Sequence, residues 1–353
     1  MDPLTQGLVG AMLPMGTLRR KKTVHANRTL SDRRKMLLCG LFGLVGGMAP
    51  DLDSFIRSDA DPLLYLEYHR QFSHSLLFIP LGGVLCATVL HLILGRWLGL
   101  PFLTGVLYCT LGYATHGLLD AATSYGTMLL WPFSDARIAW SIISIIDPIF
   151  TLPLLLLVVL SLALGSGWFA RLAWVWAALY LGFGLTQHWA ATDEGQDLAA
   201  KRGHTQFVID AKPSFGNQLV WKTLYRQGDA YYVDAVRVLP FTDPKVYPGT
   251  SIAALDLTRD LPWLDADSQQ AEDIERFRWF SRGYLALSKT DPNRIIDLRY
   301  SMLPNAVDGL WFIELTPNAP PETHVVFDAE RTVTPEDRET LMRMIKGEPL
   351  IED

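Results

Sequence analysis

The sequence has few cysteines and lacks the motifs of the common nucleophilic hydrolases. Cys39, Cys86 and Cys109 all lie within apolar runs and show no CxxC spacing, which argues against a disulfide framework or a thiolate zinc site. Ser73 and Ser75 are accompanied by no GxSxG elbow or Ser-Lys pair, so nucleophilic serine chemistry is not expected. The first residues lack the basic, apolar and cleavage order of a secretory signal, and we expect no processing.

Charge is scarce in the first half of the chain and differs in sign from the second half. Residues 1–189 hold 13 Lys+Arg and 10 Asp+Glu, whereas residues 190–353 hold 18 and 27. The net charges of +3 and −9 give the −6 of the whole chain. Because 49% of all residues are hydrophobic, the simplest interpretation is a membrane-embedded domain at 1–189 followed by an acidic soluble domain at 190–353.

Apolar segments predict that the first domain is an α-helical polytopic bundle of about five or six segments. A bilayer core takes about 20 residues of helix. Three segments meet that length: residues 75–95, 101–119 and 142–164. Three are shorter: the tryptophan-rich 172–187, the glycine-rich 36–50, which is either a thin span or a half-buried helix, and 3–18, which Pro14 is expected to break.

Basic residues predict the orientation of these segments. Residues 19–35 hold eight Lys+Arg and are expected to form a cytoplasmic loop under the positive-inside rule. Counting spans from there puts residues 51–74, residues 120–141 and the soluble domain on the outer side. All the acidic and histidine pairs discussed next fall toward that same face.

The soluble domain is predicted to be α+β with a mainly antiparallel sheet. Residues 219–225 and 230–239, joined across Gln227-Gly228-Asp229, are typical of a hairpin. RGYLALS, RIIDLRYSM, GLWFIEL and THVVFDA predict four more strands. Residues 268–281 and 334–346 predict amphipathic helices, the second with Thr334 as its N-cap. No ligand constellation is evident in this half.

Acidic and histidine side chains stand in pairs beside the apolar segments of the first half. Ionisable groups in or near a bilayer are costly and are therefore functional by default. Histidine with carboxylate is also the ligand set of Zn²⁺ and related divalent metals. The candidates are Asp51 and Asp53, His69 and His74, His116 and Asp120, with Asp147 as a seventh. Seven N/O donors suffice for one or two ions, and a two-metal centre is common in phosphoester hydrolysis.

The spacings indicate how the pairs could converge. His116 and Asp120 are four residues apart on a predicted helix, so both leave from one face. His69 and His74 are five apart, which requires a helix end or a turn. Pro50 favours a helix end just before Asp51.

Several blocks carry a family resemblance. MDPLTQGLVGA, GGMAPDLD, YHRQFSHSLLF, GYATHGLLDAATSYGTMLLWPFS and IIDPIFTLPLL resemble the LexA-regulated, inner-membrane metal-dependent hydrolase family, which is YdjM-like. The soluble half, with FRWFSRGYLAL and IIDLRYSML, is similar to the tail of its longer members. That family is suspected to be related to zinc-dependent phospholipase C and single-strand nucleases.

The resemblance implies a divalent-metal hydrolase of the bacterial inner membrane, multi-pass, with its C-terminal domain on the periplasmic side. Some members carry a histidine where this chain has Gln6. The implied ligand positions are Asp51, Asp53, His69, His74, His116 and Asp120.

The leading hypothesis is hydrolysis of a lipid-like or amphiphilic phosphoester at the outer membrane–water interface, with one or two Zn²⁺ ions. Asp51 or Asp53 would bridge the metals or act as general base. Arg70 and Arg137 would either clamp a phosphate or sit at the headgroup level. Membrane lipids are the expected partners.

Two rival hypotheses use the same residues. A metal-ion or proton transporter would use the His/Asp cluster as a transit site, which should lie near mid-membrane. A scaffold protein would hold a structural metal and meet a partner through its acidic domain. Nucleic acid is not expected as a partner, because the one strong basic run, 19–35, is explained by topology. The substrate, the metal, the oligomeric state and the role of the C-terminal domain stay open.

Overall fold

The computed structural model describes residues 1–18, 32–205 and 207–350. Most of the predicted cytoplasmic loop, at 19–31, lies outside these ranges. The chain forms two compact units. The first comprises Met1–Ile56 and Tyr68–Gly184, and the second comprises Arg57–Glu67 and Leu185–Asp353.

The first part of the chain is helical. A π-helical turn, His91–Gly95, joins α4 to α5, and three 3₁₀ turns interrupt the loops at Ala49–Phe55, Phe72–His74 and Leu76–Phe78. The helices are α1 (Pro3–Thr17), α2 (Asp32–Met48), α3 (Leu64–Tyr68), α4 (Ile79–Leu90), α5 (Arg96–Leu98), α6 (Phe102–Ala122), α7 (Pro148–Leu164) and α8 (Gly167–Lys201).

Among the described residues, three helical stretches are long and apolar enough to cross a membrane: Arg33–Phe55, Leu76–Leu98 and Gly167–Lys201. Helix α7 is apolar but has 17 residues. Helix α6 has 21 residues but also contains Thr, Tyr and His, and it is not among the three. The predicted helical membrane region is therefore confirmed, whereas the number of five or six spans stays a prediction.

Two helix boundaries differ from those expected. Pro14 does not break the first helix, which continues to Thr17. Pro14 lies near the C-terminal end of α1, so its missing N–H removes one helical hydrogen bond close to where the helix ends anyway. The segment predicted at 142–164 becomes helical only at Pro148. Asp147 is the N-cap there and its carboxylate accepts a hydrogen bond from the backbone N–H of Phe150.

Glycines allow α1, α2 and α6 to pack at backbone contact. A Cβ on Gly112 would lie 2.1 Å from the carbonyl oxygen of Gly43, and a Cβ on Gly10 would lie 2.6 Å from that same oxygen. Real Cβ atoms do not approach so closely, so these positions require glycine. Small residues of this kind let membrane helices approach closely. The contact fixes the C-terminal end of α2 against α6.

The second unit is an α+β domain with two antiparallel sheets. Its strands are β1 (Asp210–Pro213), β2 (Val220–Gln227), β3 (Ala230–Arg237), β4 (Lys245–Tyr247), β5 (Ser251–Ala253), β6 (Leu285–Leu287), β7 (Arg294–Asp297), β8 (Trp311–Glu314) and β9 (Val326–Ala329). One sheet has the order β1-β2-β3-β4 with β5 also paired to β3, and the other has the order β6-β7-β8-β9.

Local signals in this domain are confirmed where they were strongest. The predicted hairpin is β2–β3, with Gln227 paired to Ala230 across the turn. The remaining helices are α9 (Leu257–Asp260), α10 (Gln269–Phe280) and α11 (Pro335–Lys346). Thr334 is the N-cap of α11, as the sequence predicted, and it also forms a capping box with Asp337.

Candidate metal centre

The site begins where α2 ends against α6. His116 faces α2 from the last two turns of α6 and is fully buried. Its Nδ1 donates to the carbonyl oxygen of Gly47 at 2.6 Å. Because Nδ1 carries the proton in this bond, Nε2 of the neutral ring keeps its lone pair for a metal.

The 3₁₀ turn after α2 supplies two carboxylates that point to different partners. Asp51 Oδ1 lies 3.4 Å from His74 Nε2 and 3.3 Å from His116 Nε2. Asp53 instead faces the Nδ1 atoms of two histidines. Its Oδ1 lies 2.8 Å from His69 Nδ1 and its Oδ2 lies 3.1 Å from His74 Nδ1. Asp51 therefore lies where a metal ligand could stand, and Asp53 is placed to orient the His74 ring.

A second 3₁₀ turn, Phe72–His74, holds His74 in place. Asp53 Oδ2 accepts hydrogen bonds from Ser73 Oγ at 2.6 Å and from the Arg70 backbone N–H at 3.0 Å, and Arg70 has a left-handed φ of 66°. Burial by itself lowers the pKa of His74, but its hydrogen bonds to Asp120, Asp51 and Asp53 raise it to about 10. The carboxylates thus favour a positive charge at this point.

Four donors form a cage with the size of a tetrahedral metal site. The distances from His74 Nε2 are 2.9 Å to His116 Nε2, 3.2 Å to Asp120 Oδ2 and 3.4 Å to Asp51 Oδ1. His116 Nε2 lies 3.3 Å from Asp51 Oδ1 and 3.5 Å from Asp120 Oδ2. A tetrahedron with metal–ligand bonds of about 2.0 Å has edges of about 3.3 Å. The residues present therefore fit a divalent ion.

The potential ligands fall into two groups that share Asp51. The first ligand group is Asp51, His74, His116 and Asp120, and the second is Asp51, Asp53 and His69. Within each group, one donor atom per residue lies within 4.8 Å of the others. The structure thus brings together six of the seven predicted ligands. The Asp51 side chain is 25% exposed, whereas those of His74, His116 and Asp120 are fully buried.

Other groups surround Asp120. The Nε of Arg70 lies 3.0 Å from Asp120 Oδ2, and Arg70 Nη1 donates to Thr123 Oγ1 at 3.0 Å. Asp120 Oδ1 accepts a hydrogen bond from Gln6 Nε2 at 2.8 Å and contacts the amino group of Met1. Within the described parts of the chain, Gln6 Oε1 is buried without a hydrogen-bond donor. An orphaned acceptor beside this cage also fits a cation.

Asp147 lies in neither group. Its two oxygens accept from the Tyr180 hydroxyl at 2.9 and 2.8 Å, and one of them caps α7. We therefore leave Asp147 out of the ligand set. An Asp-Pro dipeptide at the start of an apolar run is typical of a helix N-terminus. Asp147 makes the contacts of a helix cap and not those of a metal ligand.

Sequence reasoning missed an aromatic residue next to the site. The guanidinium groups of Arg70 and Arg137 lie 4.6 and 5.3 Å from the ring centre of Tyr125, and the His69 ring lies 5.7 Å from it. Tyr125 follows α6 in a loop and shows no periodic pattern. Gly47 and Ser73, which orient the histidines, were also missed, although the glycine pair before MAPDLD signals a close backbone approach.

An apolar helical region with a buried His/Asp cluster defines a class: membrane proteins with a possible metal site. Residues 1–191 match the model of the YdjM inner membrane protein family, which is more than half of the 353 residues, and the chain belongs to that family. This confirms the resemblance. Regulation by LexA and a relationship to zinc-dependent phospholipase C stay predictions.

Two relatives carry little functional information. The chain is similar to the uncharacterized protein YfhP of Bacillus subtilis (strain 168), with 30% identity over 105 residues, 30% of this chain and 31% of that protein. It is also similar to the inner membrane protein YbcI of Escherichia coli (strain K12), with 30% identity over 107 residues, 29% of this chain and 60% of that protein. The chain thus spans less than two thirds of either relative. No solved structure matches it.

Proposed function

We propose that this protein is a divalent-metal-dependent hydrolase that cleaves a phosphoester at the membrane–water interface. One observation carries the proposal: Asp51 belongs to both ligand groups and is the exposed member of the first. A carboxylate shared by two groups is the arrangement that two-metal phosphoester hydrolases use. Partial exposure at the shared ligand leaves a side from which water and substrate can approach.

The proposed roles follow from the contacts. His74, His116 and Asp120 would hold one ion, with Asp51 shared between it and a second ion. Mixed nitrogen and oxygen donors at tetrahedral spacing favour Zn²⁺. A bound divalent cation supplies Lewis acidity, which polarises a phosphoryl oxygen and makes water a stronger acid.

Asp51 and Arg70 have different proposed tasks. Asp51, as the partly exposed carboxylate that belongs to both ligand groups, is the candidate bridging ligand, and a carboxylate that bridges two ions would not act as the general base. Arg70 is 4% exposed and its guanidinium is engaged by Asp120 and Thr123. We therefore propose that Arg70 positions Asp120 and does not clamp phosphate. Arg137 lies beside the Tyr125 ring, is 9% exposed and donates from Nη2 to the carbonyl oxygen of Gly126, and it is the remaining candidate for binding an anion.

Helix ends support an interfacial site over a transit site. Asp51 follows the end of α2, His74 precedes α4, and His116 lies in the last two turns of α6. A transporter would be expected to hold its ligands near the middle of the helices. We further propose that the site and the C-terminal domain face the periplasm, because the basic run 19–35 is best retained in the cytoplasm. An amphiphilic phosphoester within a lipid leaflet could reach such a site.

The test compares the full-length protein, purified in detergent, with His116→Ala. We expect the wild type to copurify with or take up Zn²⁺ and to hydrolyse a phosphodiester such as bis(p-nitrophenyl) phosphate or a short-chain phospholipid. His116→Ala should lose metal and activity together, by about 100-fold or more in activity. His91→Ala is the matched control, since His91 lies in the π-helical turn and packs against Phe102.

Retention of full activity in the metal-free protein would exclude the proposal. A second candidate function, a structural metal centre, is favoured by the four donors that already complete a tetrahedron. It predicts tightly bound metal, no hydrolysis, and a Co²⁺-substituted spectrum that added phosphate leaves unchanged. Metal uptake into proteoliposomes would instead support the transporter.

A further inference from the structure

One short segment of the N-terminal half belongs to the C-terminal unit. Residues Arg57–Glu67 form part of the second compact unit, whereas the chain on both sides of them belongs to the first. We call residues 57–67 the strap. It begins four residues after Asp53 and ends two residues before His69. Asp53 Oδ1 and His69 Nδ1 lie 2.8 Å apart, so the residues that flank the strap contact each other.

The strap is packed within the C-terminal unit. Leu63 and Leu66 are almost fully buried, at 1% and 2% exposure. Arg276 of α10 binds two carboxylates of the strap, those of Asp61 and Glu67. Its Nη1 and Nη2 donate to Asp61 Oδ1 and Oδ2 at 3.0 and 2.8 Å, and its Nε donates to Glu67 Oε1 at 2.6 Å. A bidentate guanidinium–carboxylate pair fixes direction as well as distance.

The domain holds Arg276 in this orientation. Asp273, on the same helix and fully buried, accepts a hydrogen bond from Arg276 Nη1 at 2.9 Å. Its other oxygen accepts from His324 Nδ1 at 2.8 Å and from the Val325 backbone N–H at 3.1 Å. Arg276 therefore joins three carboxylates, of which one is anchored to the domain and two belong to the strap.

We propose that Arg276 is a positioning residue through which the C-terminal domain fixes the Asp53–His69 side of the metal centre. The inference rests on the proposed function insofar as that site binds metal. The first ligand group depends less on the strap, because His116 is oriented by Gly47 on α2 and only His74 of that group contacts Asp53. The second group depends on the strap, because Asp53 and His69 stand at its two ends. Releasing the strap should therefore weaken the second ion much more than the first.

The experiment measures metal binding by the full-length protein in detergent. Wild type and Arg276→Ala are titrated with Zn²⁺ against a chromophoric chelator, and bound ions are counted at saturation. We expect the wild type to bind two ions and Arg276→Ala to bind one of them about 10- to 100-fold more weakly, as when an outer-shell support is lost. The other ion should be weakened much less, since its group meets Asp53 through the His74 contact and does not contain Asp53 itself. Arg276→Lys, which keeps the charge but not the fork, should be intermediate.

Two further variants separate positioning from general destabilisation. Arg278→Ala is the matched control, because Arg278 is two residues away on α10 and pairs with the exposed Glu275; it should bind like wild type. The double variant Asp61→Asn/Glu67→Gln cuts the same contact from the strap and leaves the Asp273 network intact, so it should reproduce the selective loss even if Arg276→Ala fails to fold.

Distinct outcomes overturn the inference or the proposed function. Equal weakening of both ions, unchanged binding in the double variant, or a wild type that binds a single ion would overturn the role of Arg276. A selective loss of one ion together with no hydrolysis of any phosphoester would support that role and contradict the hydrolase. The metal readout is independent of activity, so the two failures can be told apart.

Discussion

Both units bury carboxylates, but they neutralise them differently. In the C-terminal unit, Asp297 is paired with Arg299 and Asp210 with Lys212, and all four side chains are buried or nearly so. In the candidate metal centre, the ion pairs that Asp51 forms with described residues are with His74 and His116, at 3.4 and 3.3 Å, and Asp120 faces the same histidines in addition to Arg70.

The difference shows which buried charges call for a ligand. The guanidinium of Arg299 and the ammonium of Lys212 each lie beside one carboxylate and neutralise its charge, so the C-terminal pairs are complete by themselves. Histidine is neutral or charged depending on its surroundings, and its lone pair is also a metal ligand. An acid that faces histidines, even one that also contacts an arginine as Asp120 does, is therefore poised for a cation, whereas Asp297 and Asp210, paired with Arg299 and Lys212, are structural.

The largest expected effect comes from removing the shared carboxylate. A four-ligand zinc site contributes about 10–16 kcal/mol, so one of the four ligands is worth roughly 2.5–4 kcal/mol, or about 70- to 900-fold in affinity. Because Asp51 belongs to both groups, Asp51→Ala should weaken both ions by that factor. Metal content and competition titrations of the purified protein would measure this.

Asp59→Ala is the control for that substitution, since Asp59 is an exposed acid eight residues further along the chain. It should leave binding unchanged. If Asp51→Ala weakened a single ion, the carboxylate would not be shared and the two-ion arrangement would be wrong.

The next largest effect should appear as stability and not as metal binding. Asp297→Ala removes the partner of Arg299, whose side chain is fully buried and whose Nη2 donates to Asp297 Oδ2 at 2.6 Å. An uncompensated buried charge costs about 3–5 kcal/mol. Denaturant or thermal unfolding of the intact protein should show this loss, while the folded variant keeps its metal content.

Glu275→Ala gives the matching surface case. The Glu275–Arg278 pair is largely exposed, and such pairs contribute about 0–1 kcal/mol. A small effect for Asp297→Ala, similar to that of Glu275→Ala, would mean that the C-terminal pairs are not the self-sufficient contacts described above.

How far the sequence predicts this fold depends on whether the signal is local. The β2–β3 hairpin and the start of α11 were predicted because their turn and cap residues act within a few positions. The run 172–187 was expected to end where polar residues begin, but α8 continues to Lys201. Hydropathy reports where a helix can leave the lipid, and it does not report where the helix ends. β1, β4 and β5 have three or four residues each and carry little pattern.

The site was predictable in its residue types and not in its geometry. The four-residue spacing of His116 and Asp120 predicts that they share one helix face, and His116 Nε2 lies 3.5 Å from Asp120 Oδ2. The Asp53 carboxylate points toward Nδ1 of His69 and of His74, and this orientation depends on tertiary contacts that sequence spacing does not encode. The same holds for Arg276 and Asp61, which are 215 residues apart in sequence.

A pH dependence of the C-terminal unit sharpens the comparison further. Lys222 of β2 is buried and stands directly opposite Lys212 across the strand pair; its Nζ donates to Ser301 Oγ and to the carbonyl of Ala306, both at 2.8 Å. Burial lowers its pKa to about 7, with Lys212 acting in the same direction and the carboxylates of Asp308 and Asp297 opposing it.

The sign of the pH dependence follows from that depressed pKa. Between pH 7 and the ordinary lysine value of 10.5, the unfolded chain binds a proton that the folded chain does not, so the folded state loses stability as pH falls through this range. One proton corresponds to at most about 1.4 kcal/mol per pH unit. Lys222→Met removes this dependence, and its unfolding free energy relative to wild type should therefore decrease as pH rises from 7 to 10. Lys289→Met, at an exposed lysine, should show no such trend. A flat difference for Lys222 would mean that its ammonium stays charged in the folded domain, and the C-terminal unit would then hold a buried cation without its own carboxylate, contrary to the contrast with the metal centre.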